Sequence, residues 1–183
     1  MDCASSPTTQ TREWSLELQQ EASRDYLTGL LNRRGLEAAA DALDGKDMPL
    51  AVYLFDLDNL KHINDTFGHM RGDQTISAFA ELLREQTRES DILSRFGGEE
   101  FVVIMKQMKS GESAVKKGED ICRSICEYPF ADNVRACCSA GVVIWDTRKP
   151  LPAILEYADQ ALYRAKAENK GGCCMWEDGY EYP

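Results

Sequence analysis

The sequence predicts an α/β (α+β) layered domain, a central mixed sheet packed by helices. Three features predict it. Residues 50–57 (LAVYLFDL) form a nearly continuous apolar run of strand length, as expected for a strand covered on both faces. Residues 92–96 and 101–105 are two strand-like runs flanking Gly97-Gly98, which reads as a hairpin. Between and around these lie segments whose apolar residues recur with helical period.

The elements follow in order. Residues 1–10 are a polar Ser/Thr/Pro segment, and 11–25 have helix-forming composition with a thin seam of Trp14, Leu18 and Ala22. Residues 1–24 are therefore expected to be an extension, 25–178 the domain and 179–183 a tail. Asn32 can cap a helix with the stripe Leu36, Ala39, Ala40 and Leu43. The 50–57 strand is followed by an expected loop, NLKHINDTFGHMRG, and a second helix starting near Asp73 with Ile76, Phe79, Ala80 and Leu83 on one face. The hairpin comes next, its glycines expected to supply the positive φ of a tight turn. A third helix over 113–128 carries Gly118, Ile121, Cys122 and Ile125. Residues 134–144 alternate Val134, Ala136, Cys138, Ala140, Val142 and Ile144, predicting a strand with one face in the core. The last helix, 152–168, turns Leu155, Ala158, Leu162 and Ala165 inward, and 173–176 closes the sheet.

The 183 residues suit one domain, with 31 acidic and 21 basic side chains giving a formal charge of −10. That balance argues against broad nucleic-acid binding, which needs a basic surface, but leaves room for a phosphate ligand at one focused place. No apolar run approaches the roughly 18–20 residues of a membrane span, and the first residues lack the apolar centre of a signal peptide. A cytoplasmic location is expected. The seven cysteines (3, 122, 126, 137, 138, 173, 174) have no zinc-site spacing and are expected to be reduced thiols.

The chemistry concentrates at two places. Asp56 and Asp58 end the apolar strand, where alternation puts them on one face. Glu99 and Glu100 follow the hairpin glycines. A hairpin tip beside the strand end brings Asp56 and Glu99 within reach of one cation. A few carboxylates, completed by phosphates, suit Mg²⁺ (or Mn²⁺). The same four acids also fit plain solvated carboxylates near turns.

Five segments in order resemble the GGDEF family, the diguanylate cyclase domain: 25–34 (DYLTGLLNRR), 56–65 (DLDNLKHIND), 66–73 (TFGHMRGD), 95–101 (RFGGEEF) and 158–166 (ADQALYRAK). The resemblance covers residues 24–176. It implies a fold related to nucleotidyl cyclases and polymerase palms, and condensation of two GTP into cyclic di-GMP with release of two pyrophosphates. It also implies site roles. Asp56, the Leu57 carbonyl and Glu99 would hold the divalent ions, with Glu99 the candidate proton acceptor and Glu100 a second carboxylate. Asn64 and Asp73 match positions that bind the guanine edge, and His69 a further substrate-lining position. Lys61, Lys166 and Lys170 match positions near the phosphates. Arg88 and Asp91, in RESD five residues before Gly97, resemble the family's RxxD product-inhibition site. Arg95 reads as support for the hairpin.

Two departures stand out. Leu60 occupies a position where an aromatic is common, and AENKGG follows Lys166 where the family more often has Gly with Arg-Asn or Lys-Asn. The resemblance further implies a homodimer for catalysis, with an upstream sensor domain as a possible partner. Two readings compete with the cyclase: a catalytically idle cyclic di-GMP receptor using Arg88 and Asp91, and a GTP-binding regulatory domain.

Overall fold

In the computed structural model, residues 22–130, 134–146, 149–168 and 170–178 are described. The helix expected over 11–25 falls outside them up to residue 21. Residues 22–25 are turn and bridge, with Arg24 paired to Leu31. The tail 179–183 also lies outside.

Among the described residues the order is α1 (Arg33–Asp41), β1 (Leu50–Asp58), α2 (Leu60–Phe67), α3 (His69–Gln86), β2 (Ile92–Arg95), β3 (Glu100–Met105), α4 (Gly111–Glu127), β4 (Cys137–Trp145), α5 (Leu151–Glu168) and β5 (Cys173–Met175). They build one mixed sheet in the order β2-β3-β1-β4-β5, in which β1 runs antiparallel to β3 and β4, and β5 parallel to β4. β1 is central because every one of its positions is buried. Its odd residues, including Tyr53, Phe55 and Leu57, pack with Phe79, Phe101 and Ile121 under α3 and α4. Its even residues Leu50, Val52 and Leu54 pack with Leu36, Val143, Ile154 and Leu162 under α1 and α5. Continuing that alternation puts Asp56 and Asp58 on the α5 side.

Asn32 caps α1 as expected, its side chain accepting from the Gly35 amide. Four expectations need correction. The segment after β1 is not a loop but helix α2, held by buried Leu60 and Ile63 one turn apart, and α3 begins at His69 rather than near Asp73. Gly68, at φ 86°, breaks the two helices apart. β4 is not one-faced: Cys138, Ala140 and Val142 face α4, Val143 and Trp145 face α5, and Ile144 is 39% exposed. Ile144 pairs with Ala51, at the end of the sheet away from Asp58, so it lies where the inward pattern runs out. Gly97 and Gly98 do not adopt the left-handed region; the described glycines that do are Gly29, Gly68 and Gly171. The expectation of reduced thiols fits Cys122, Cys138, Cys173 and Cys174, but Cys126 and Cys137 form a disulfide with Cα atoms 4.5 Å apart. Sequence spacing did not reveal it, because the pairing depends on the end of α4 lying beside the start of β4.

Candidate active site

The end of β1 is a carboxylate cluster built by sheet register. Asp56 lies opposite Glu100 on β3 and Ser139 on β4. The Leu57 amide donates to the Glu99 carbonyl (3.1 Å), which ties the hairpin to the strand end. Asp56 and Asp58 are each only 7% exposed. Lys166, in the last turn of α5, donates to Asp56 Oδ1 at 2.6 Å. Ser139 Oγ donates to Asp58 Oδ2 (2.9 Å) and itself accepts from the Gly171 amide (3.2 Å).

The hairpin is braced from below. Arg95 donates through Nε and Nη2 to the Gly98 carbonyl (3.2 and 2.7 Å) and through Nη1 to both oxygens of Asp25 (3.2 Å). Burial pushes the Asp25 carboxyl up, but the Thr28 hydrogen bonds and the Arg95 charge outweigh it and hold it below its ordinary value. A Cβ at 97 would stand 2.5 Å from Glu100 Oε2, so a larger residue there would turn the Glu100 carboxylate aside.

These carboxylates are not ordinary. Burial, then the Asp56 charge and, more weakly, that of Glu100, raises the Glu99 carboxyl, against the pull of Lys166. Burial, then Asp56 and Asp159, raises Glu100. Burial also raises Asp58, against the Ser139 hydrogen bond and the Lys166 charge. Such a site favours either protons or a cation. Among the described residues no group of three His, Cys, Asp or Glu side chains is placed to hold a metal ion. The Asp56, Glu99 and Glu100 side chains offer hard oxygen donors, the type that suits a divalent ion whose shell phosphate or water would complete.

A cleft of about 500 Å³ opens over this cluster, lined by Asp56, Leu60, Asn64, Glu99, Glu100 and Gly98 among others. Asn64, on α2, is set by a residue that sequence reasoning missed. Gly72 on α3 lies against it, and a Cβ at 72 would stand 1.9 Å from Asn64 Oδ1. His69 and Asp73 are exposed on the first turns of α3, with no side-chain hydrogen bond or ion pair among the described residues. Lys61 on α2 and Lys170 after α5 are likewise exposed. The structure thus gathers Asp56, Glu99, Glu100, Asn64 and Lys166, and leaves Lys61, His69, Asp73 and Lys170 on neighbouring exposed positions. Ser139 carried no signal in the sequence, being one polar residue in an apolar strand.

Arg88 and Asp91 lie elsewhere, on a separate cleft of about 560 Å³ that also exposes Arg24, Arg84 and Glu89. Asp91 accepts from the Arg88 amide (2.9 Å) and the Lys106 amide (3.0 Å), so each of its oxygens already holds backbone. The Arg88 guanidinium is exposed and makes no hydrogen bond among the described residues. No helix among the described residues is long and apolar enough to cross a membrane.

Comparison with known proteins agrees with this geometry. The family model "Diguanylate cyclase, GGDEF domain" matches residues 22–172. The diguanylate cyclase DgcP of Pseudomonas aeruginosa is 41% identical over 156 residues, which are 80% of this chain and 23% of DgcP. The active GGEEF domain of a diguanylate cyclase from Vibrio cholerae superposes with a TM-score of 0.74 at 33% identity, covering 82% of this chain and 99% of that one. The GGDEF domain of DgcB from Caulobacter crescentus, solved with c-di-GMP, superposes with a TM-score of 0.75 at 26% identity, covering 86% and 94%. The chain spans about a quarter of DgcP and 42% of DgcM of Escherichia coli. With carboxylates of the GGEEF hairpin set against the end of β1 and a family match across nearly the whole domain, this chain belongs to the GGDEF family of diguanylate cyclase domains.

Proposed function

We propose that this chain is a diguanylate cyclase domain that condenses two GTP into cyclic di-GMP and two pyrophosphates. The observation that carries the reading is the gathering of Asp56, Glu99 and Glu100 with Asn64 in one cleft, of a size that admits a nucleotide. Its likeness to DgcP supports the same reading.

In this reading Asn64 and Asp73 take the guanine. A carboxylate at 73 accepts from N1–H and the N2 amino group, whereas adenine offers an acceptor at N1 and is repelled. His69 lines the same edge. Lys61, Lys166 and Lys170 bring positive charge to the triphosphate. Asp56, Glu99 and the Leu57 carbonyl would hold the divalent ion, Mg²⁺ or Mn²⁺. When bound, that ion offsets charge on the leaving pyrophosphate and favours loss of the 3′-hydroxyl proton. Glu99, with its raised carboxyl, is the candidate acceptor of that proton, and Glu100 adds a second carboxylate beside it. Each new 3′-oxygen–phosphorus bond replaces one phosphorus–oxygen bond to pyrophosphate. Each domain holds one GTP, so two domains must face one another. Arg88, with its uncommitted guanidinium, and Asp91 form the product-inhibition site; the fork of Arg88 suits a guanine or phosphate edge.

The test is incubation with GTP and Mg²⁺ at several protein concentrations, with nucleotides separated by chromatography. Cyclic di-GMP should appear with more than first-order dependence on protein. Glu99→Gln should abolish it while leaving the fold intact. Absence of product together with tight binding of added cyclic di-GMP would replace this reading with the receptor.

A further inference from the structure

The Cys126–Cys137 disulfide joins the end of α4 to the first residue of β4. Cys126 is exposed and Cys137 half-buried. The neighbouring thiols differ: Cys122, Cys138 and Cys173 are buried in the core beneath it. Cys122 lies one helical turn before Cys126, and its sulfur donates to the Gly172 carbonyl at 3.6 Å.

The disulfide also abuts the backbone that supports the carboxylate site. Gly171 sits in the left-handed region at φ 86°, and a Cβ there would stand 3.6 Å from the Cys126 sulfur and 3.9 Å from Cys137 Cβ. The Gly171 amide donates to Ser139 Oγ, which donates to Asp58. The neighbouring Gly172 carbonyl accepts from the Ala140 amide at 2.9 Å. Two hydrogen bonds therefore separate the chain packed on the disulfide from a carboxylate at the end of β1.

We propose that Cys126 and Cys137 are a reversible redox-modification site, read out through the Lys170–Gly172 segment that packs on them. The reductant is a dithiol, or two molecules of a small monothiol. A thiolate attacks the sulfur of Cys126, the more exposed residue of the pair, the S–S bond breaks, and Cys137 leaves as a thiolate that takes a proton. A second thiolate then attacks the sulfur of the reductant in the mixed disulfide and frees Cys126. Two electrons pass to the protein, two protons are taken up, and the reductant ends as its disulfide. Opening the link frees the end of α4 from β4 and loosens the Gly171 and Ala140 hydrogen bonds. The inference stands on geometry separate from the cyclase reading.

The full chain is equilibrated with mixtures of reduced and oxidised glutathione, quenched with an alkylating agent, and mapped by peptide mass spectrometry. Cys126 and Cys137 should titrate together as a two-electron couple. Their disulfide-to-dithiol ratio should fall about a hundredfold for each tenfold rise in reduced glutathione at fixed oxidised glutathione. Cys122, Cys138 and Cys173 should stay unlabelled in the folded protein. In the dithiol form, amide exchange in peptides covering Ala140 and Gly171 should quicken about tenfold, as expected for local opening. Cys126→Ser and Cys137→Ser should each give the fast exchange at every poise. Independent alkylation of the two cysteines would overturn the proposal. A proper couple with unchanged exchange would overturn it too, leaving a plain staple. Neither readout needs nucleotide or turnover, so failure here is distinct from failure of the cyclase reading.

Discussion

Gly72→Ala separates the positioning of Asn64 from the stability of the helix that does the positioning. Two effects oppose each other. Replacing glycine by alanine inside a helix gains about 1 kcal/mol of intrinsic propensity. The new Cβ, however, would stand 1.9 Å from Asn64 Oδ1 and 2.9 Å from its Cγ, so something must move. The obstacle is the end of a side chain, which can rotate away, so the global stability should change by less than about 1 kcal/mol. Asn64 then no longer lines the cleft where it stands now. Loss of one neutral hydrogen bond of about 0.5–1.5 kcal/mol weakens GTP binding by roughly two- to thirteenfold. The assay is titration calorimetry with a non-hydrolysable GTP analogue, run beside chemical denaturation. A double-mutant cycle supplies the control. In an Asn64→Ala background the clash is gone, so Gly72→Ala should stabilise the fold by about 1 kcal/mol and leave binding unchanged. If Gly72→Ala weakened binding equally in both backgrounds, the claim that Gly72 acts through Asn64 would be refuted.

Other perturbations address the rest of the site. Because Glu99 and Glu100 are raised above their ordinary values, the folded state binds protons more tightly than the unfolded chain. Their contribution to stability is therefore greatest below the unfolded carboxylate range and is lost as pH rises through the folded values. Thermal melts across this window should show a shallower decline with rising pH in Glu99→Gln than in the parent; identical slopes would contradict it. Lys166→Met leaves Asp56, only 10% exposed in its side chain, without its ammonium. The lysine is about one-third exposed, so solvent screening limits the loss to roughly 1–2 kcal/mol, and added Mg²⁺ should raise the variant's melting temperature more than the parent's. An equal shift in both would refute the pairing argument. Arg88→Ala should relieve inhibition by cyclic di-GMP with initial rates near normal, measured as product formation in the presence of added product; unchanged inhibition would remove Arg88 from that role.

The sequence by itself determined the parts whose signals are local. Leu50–Leu57 reads as a central strand because a strand buried on both faces must be apolar throughout, and that is how β1 is built. Asp56 and Asp58 stand out because nothing in an apolar strand accounts for charge at its end. The Gly97-Gly98 break between two strand-like runs marked the hairpin, and Asn32 marked the start of α1. Two-turn helix α2 was hidden, since Leu60 and Ile63 alone make too short a stripe to distinguish from a loop.

Only the tertiary structure decided which distant groups meet. Lys166 pairs with Asp56 across a separation of 110 residues, because α5 packs on the face of the sheet where alternation sends Asp56. Ser139 reaches Asp58 across 81 residues through the β1–β4 register. Gly72 matters to Asn64 because Gly68 folds α3 back beside α2, and Cys126 meets Cys137 because α4 ends where β4 begins. Periodicity records the side of an element that is buried, whereas these contacts depend on the elements' mutual placement, which no local pattern encodes.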